Sequence, residues 1–78
     1  MENRIKNIMS AVFEIPYTEI SEESTMDTIE SWDSLKHMNL VIALEDEFQI
    51  TIPDEEVGNL ISYKLINLIL KEILDSND

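Results

Sequence analysis

At 78 residues the chain has room for one domain, spanning 1–78, and for a small core, since a chain of this size buries only about 60% of its unfolded surface. Seventeen acidic residues against five basic ones give a net charge of −12, which argues against nucleic acid and anionic membranes and favours partners that present basic patches. There is no cysteine, so disulfides and cysteine-ligated zinc are excluded, and any thiol the protein uses must be supplied from elsewhere.

In chain order, "MENRIKNIMSAVFEIPY" lacks the unbroken apolar run of a signal peptide, and no segment reaches the roughly 18 apolar residues of a membrane span. A cytoplasmic protein is expected. Ile5, Ile8, Met9, Val12 and Phe13 recur at helical spacing and predict an amphipathic helix, which Pro16 closes because the residue before a proline is pushed out of the helical region. Residues 17–33, "YTEISEESTMDTIESWD", read as a long ordered loop pinned by Ile20, Met26, Ile29 and Trp32. A second helix is predicted from Ser34 to Phe48. A short third one opens at Pro53, with Asp54, Glu55 and Glu56 in its first turn, where the helix dipole favours negative charge. Ser62 is the predicted N-cap of the last helix, whose face is Leu65, Ile66, Ile69, Leu70 and Ile73. The expected fold is all-α: a four-helix bundle of three longer helices and a short third, with a long loop between the first two.

The second helix carries two apolar stripes. Leu40, Val41, Leu44 and Phe48 form one, and Leu35, Met38 and Ile42 form another that begins beside Ser34. Either both are core because the helix is central, or the second is a partly exposed docking surface. Six carboxylates, Glu45, Asp46, Glu47, Asp54, Glu55 and Glu56, flank it along the second and third helices. They lack the glycine-centred loop spacing of a calcium site, so no metal site is assigned.

Ser34 admits three readings. As a cap, either Asp33 or Ser34 accepts a hydrogen bond from the first turn. As a nucleophile it would pair with His37, three residues on, but it would also need an oxyanion hole, and the sole glycine, Gly58, is far along the chain. Catalysis is therefore not expected, and His37 reads as a surface or packing residue. As an attachment point, a serine at a helix start is exposed, and its neighbouring N–H groups suit a phosphate.

Asp33-Ser34-Leu35 followed by "MNLVIALEDEFQITIPDEE" resembles the signature of acyl carrier proteins: a D-S-L triplet, an L-V-x-A-L-E-x-E-F helix and an I-P-D-E-E third helix. The resemblance covers nearly the whole chain. It implies that Ser34 carries 4′-phosphopantetheine, placed there from coenzyme A by a separate magnesium-dependent phosphopantetheinyl transferase. The terminal thiol of that arm would hold an acyl or aminoacyl group as a thioester for delivery to acyl-loading and acyl-using enzymes with basic docking patches. Asp33 would assist docking at the transferase, Leu35, Met38 and Ile42 would be the recognition surface, and the acids would rim it. A monomeric carrier, not an enzyme, is expected; the alternative is an unmodified acidic helical adaptor. Trp32, Lys36, His37 and Asn39 depart from the fatty-acid-synthesis pattern around the attachment point, where partners read the surface. They point to a specialised stand-alone carrier, of the kind serving secondary metabolism, cell-surface sugar modification or aminoacyl transfer.

Overall fold

The computed structural model describes residues 2–76; residues 1, 77 and 78 of the expected domain lie outside it. Four helices follow one another: α1 (Glu2–Phe13), α2 (Ser34–Phe48), α3 (Asp54–Val57) and α4 (Tyr63–Ser76). Strands are absent among the described residues, apart from an isolated antiparallel bridge between Thr25 and Ser62. The all-α four-helix bundle expected from the sequence is the fold observed.

α1 buries Ile5, Met9 and Phe13 completely or nearly so, with Ile8 and Val12 packed at the margin of the core. It ends at Phe13, before Pro16 could act. Glu14 takes a left-handed conformation (φ 57°), and the Ile15 N–H donates to the Ser10 carbonyl five residues back. α2 ends the same way, with Gln49 at φ 54° and the Ile50 N–H donating to the Glu45 carbonyl. Glycine is the usual residue at such a position, so neither end carries the ordinary signal of a helix stop.

The segment from Glu14 to Asp33 is irregular but well tied, with a single 3-10 turn at Tyr17–Glu19. Its many hydroxyls bond its own backbone. Ser24 Oγ accepts from the Ser21 N–H at 2.9 Å, and Thr28 Oγ1 accepts from the Thr25 N–H at 2.8 Å. Loops of this composition bend because Ser and Thr offer the backbone partners that compete with a helix. Ile20, Ile29 and Trp32 are buried and Met26 is packed at the core's edge, as the anchoring pattern implies. Two backbone bonds, Met26 N–H to Ile61 O and Tyr63 N–H to Ser24 O, fasten the middle of the loop to the start of α4.

α3 is one turn long. Pro53 sits just outside it as the N-cap, rather than at the first helical position, and its carbonyl accepts from Glu56 and Val57. Gly58 follows with an ordinary right-handed φ of −71°, so this glycine is not required by backbone strain. α4 starts as expected, with Ser62 Oγ accepting from the Leu65 N–H at 3.1 Å. The core is a single cluster drawn from all three longer helices, the loop and the α2–α3 and α3–α4 connections.

Candidate functional site

The corner where the loop enters α2 is closed by its own side chains. Asp33 is the N-cap: its Oδ1 accepts from the Lys36 N–H at 2.8 Å, while its carbonyl accepts from the His37 N–H at 2.8 Å. Of the two candidate caps, Asp33 takes the role, and Ser34 becomes the first helical residue. Ser34 is exposed, and its hydroxyl has no hydrogen-bond partner among the described residues. The backbone N–H groups of Ser34 and Leu35 are likewise unpartnered there. A helix end offering two open N–H groups and its positive dipole end, with a free hydroxyl in the same turn, suits a phosphate held through oxygen.

The corner is braced on three sides. Towards α1, Ser31 Oγ donates to the Phe13 carbonyl at 2.8 Å, and Lys36 Nζ meets Glu14 Oε2 at 3.0 Å. Inside, the Trp32 ring packs against Phe13 at a tilt of 31°, with centroids 4.6 Å apart. Towards α3, one ring nitrogen of His37 lies 2.8 Å from the Val57 carbonyl, and the other lies 3.0 Å from Trp32 Nε1. The positions expected to mark specificity therefore separate. Trp32 was expected around the attachment point where partners read the surface, but at 3% exposure it lies in the core and can meet a partner only through what it holds. The reason is size and shape: an indole next to Phe13 fills the space between α1 and the start of α2. Lys36 and His37 are half-buried at the surface, each engaged by a neighbour.

From this corner the second stripe of α2 runs outward. Leu35, Met38 and Ile42 are 71, 49 and 61% exposed, and Ile42 borders an open groove lined also by Asp46, Gln49, Ile50, Pro53 and Ile73. The six acids do not act as one rim. Glu45 turns inward, its Oε2 accepting from the Ile52 N–H at 2.8 Å, so it fixes the connection to α3. Glu47 turns towards α1, where Arg4 pairs with its carboxylate at 2.8 Å, donates to its carbonyl at 3.0 Å and lies over the Phe48 ring. Glu45 nonetheless lines the groove beside Ile42, and the Glu47 side chain remains 42% exposed within its ion pair, so each of the two carries a bond inside the fold as well as a place at the surface. Asp46, Asp54 and Glu55 are exposed with no ion pair among the described residues, and Glu56 is half-buried with its Oε1 accepting from Asn59 at 3.3 Å.

Residues 3–62 match the family described as "Phosphopantetheine attachment site". The chain belongs to that family. The matched span holds α1, the loop, the α2 corner and α3, so it contains the exposed serine and everything that braces it. Members of this family carry 4′-phosphopantetheine covalently; they are carriers rather than enzymes, and are themselves substrates of a phosphopantetheinyl transferase. The donor set here fits that group, because a free hydroxyl and two open amide N–H groups converge at a helix start. Three supporting residues, Glu14, Ser31 and Val57, escape a reading of the sequence, since they act through partners distant in the chain. The Trp32–His37 pair had a local signal: an aromatic just before the cap and a second ring four positions inside the helix, the spacing at which side chains staple a helix start.

Proposed function

We propose that Ser34 is the residue that carries 4′-phosphopantetheine, and that this carrier holds an acyl or aminoacyl group as a thioester and delivers it to partner enzymes. One observation carries this reading: Ser34 is exposed with a free hydroxyl, inside a corner whose cap is supplied by Asp33. Because Asp33 satisfies the first turn, modification of Ser34 leaves the helix start intact. In the transfer, the Ser34 oxygen forms the new bond to phosphorus, the remainder of coenzyme A departs, and the hydroxyl proton passes to the transferase. The open N–H groups of Ser34 and Leu35 supply partial positive charge beside the phosphodiester that results. The thiol comes with the arm, which accords with a chain devoid of cysteine.

Leu35, Met38 and Ile42 form the face that partners meet, with Asp46, Asp54, Glu55 and Glu56 as the acids that steer basic patches towards it. Lys36 and His37 beside the serine support a specialised carrier in secondary metabolism, cell-surface sugar modification or aminoacyl transfer. No helix of the described residues is long and apolar enough to cross a membrane, and the carrier is read as a cytoplasmic monomer.

Intact-mass measurement after incubation with coenzyme A and a broad-specificity transferase tests the attachment. One added phosphopantetheine on the wild type and none on Ser34→Ala is expected. No gain, or a gain that survives the substitution, removes the assignment and leaves the acidic adaptor. Trapping the thioester from cells and weighing it then names the cargo.

A further inference from the structure

The one tryptophan and the one histidine of the chain hydrogen-bond to each other, and the bond determines where the histidine's proton sits. Indole N–H can only donate. His37 Nδ1, 3.0 Å from Trp32 Nε1, must therefore accept and be unprotonated. The proton of the neutral ring is then on Nε2, which lies 2.8 Å from the Val57 carbonyl and donates to it. Both ring nitrogens are thus used, by opposite roles, in a single neutral tautomer. An imidazolium has no acceptor to offer Trp32.

The pair also has a defined place in the helix. With Asp33 as N-cap, Trp32 is the residue before the cap and His37 the fourth residue inside. Apolar side chains at these positions pack together and fix the angle at which a chain joins its helix. Here the rings are near-parallel (22°, centroids 6.2 Å apart) and a hydrogen bond is added, so the staple has direction as well as contact. Ser34 lies within the stapled segment. The Nε2 bond then extends the staple to the last carbonyl of α3, the helix that bears Asp54, Glu55 and Glu56.

We infer that His37 is a positioning residue: as the Nε2-protonated neutral ring it holds the Ser34 corner and α3 in register, and so sets the spacing between the attachment serine and the acids of α3 that a transferase meets together. The modification part of this rests on the carrier reading of Ser34; the tautomer and the bracing do not.

The experiment uses the full chain and has two arms. In the first, nitrogen-15 NMR of the single histidine in the wild type shows the Nε2–H tautomer, and amide exchange is compared in His37→Phe, which keeps an aromatic ring but makes neither bond. Exchange is expected to rise about tenfold at the hydrogen-bonded amides of Lys36 and His37 on one side and of Val57, Asn59 and Leu60 on the other, the effect of one lost hydrogen bond of about 1.4 kcal/mol on each side, while protected amides of α1 and α4 change little. An Nδ1–H tautomer, or a rise spread evenly over the chain, overturns the inference. In the second arm, transferase kinetics are measured below the melting range. His37→Phe is expected to raise KM for the carrier about tenfold with kcat within about twofold, and His37→Gln, whose amide N–H can reach Val57 as Nε2 does, to recover most of the KM. An unchanged KM in His37→Phe, or no recovery in a folded His37→Gln, also overturns it. A wild type that is never modified strikes the carrier reading instead, and the first arm still decides whether His37 braces the corner.

Discussion

Leu40, Val41 and Leu44 occupy one side of α2 and are at most 5% exposed, whereas Leu35, Met38 and Ile42 lie on another side and are about half exposed or more. The two stripes are made of the same kinds of side chain on the same helix. What separates them is the surroundings: the first belongs to the core that α1, α4 and the loop anchors share, and nothing among the described residues covers the second. Burying such a side chain stabilises by about 1.5–3 kcal/mol, so each residue of the outer stripe forgoes a good part of that gain. Apolar side chains kept in water on a chain of net charge −12 are better understood through what they meet than through what they hold together.

The comparison breaks most visibly at Leu44, which is completely buried. Leu44→Ala is expected to cost about 2–5 kcal/mol in urea or thermal unfolding, from lost burial and the cavity left behind. A cost under about 1 kcal/mol would mean that the core closes over the gap and that the inner stripe is no more essential than the outer one. The corner between the stripes is next. Asp33→Ala removes the acceptor of the Lys36 N–H and should cost about 0.5–2 kcal/mol, while Ser34→Ala should stay within about 0.5 kcal/mol, because Ser34 caps nothing. Equal losses at the two positions would show that the serine shares the cap.

Much of this contrast is legible without coordinates, and the parts that are not have physical causes. Helical spacing exposes both stripes, and the cap residues Asp33 and Ser62 announce their helices, because these signals are local. Spacing alone leaves open whether the outer stripe is core, since coverage depends on elements distant in the chain. The separate bonds of the acids are hidden for the same reason. Glu45, Asp46 and Glu47 look like one charged run, but successive helical residues point in different directions: Glu45 bonds the Ile52 amide, Glu47 pairs with Arg4, and Asp46 stays exposed. Trp32 reads both as a loop anchor and, because it departs from the acyl-carrier pattern beside the attachment point, as a surface mark, and its place in the core keeps only the first. Its burial follows from Phe13, nineteen positions earlier.

The outer stripe is tested by charge. Ile42→Glu should leave stability within about 0.5 kcal/mol of wild type, as an exposed substitution does, yet weaken docking of a partner enzyme by adding a solvated charge where an apolar contact forms. Melting and transferase KM measured on the same sample separate the two effects. A large loss of stability would place Ile42 in the core through its groove with Ile50 and Ile73, and the contrast between the stripes would then fail at its outer end.

The smallest effect is expected where α2 stops, beyond both stripes. Gln49 closes the helix at φ 54°, a conformation that costs a residue with a Cβ about 1–2 kcal/mol and a glycine almost nothing. Against this, its side-chain amide donates to the Asp46 carbonyl at an exposed site, and glycine gives the unfolded chain more freedom to lose. The terms nearly offset, so Gln49→Gly should stabilise by less than about 1 kcal/mol, visible as a small rise in denaturation midpoint with an unchanged slope. Should Gln49→Gly instead destabilise by more than about 1 kcal/mol, the side-chain bond to Asp46 would be what ends α2. The left-handed turn would then follow from that bond, and the groove beside Ile42 would owe its shape to a polar contact rather than to the packing of Ile50 beneath it.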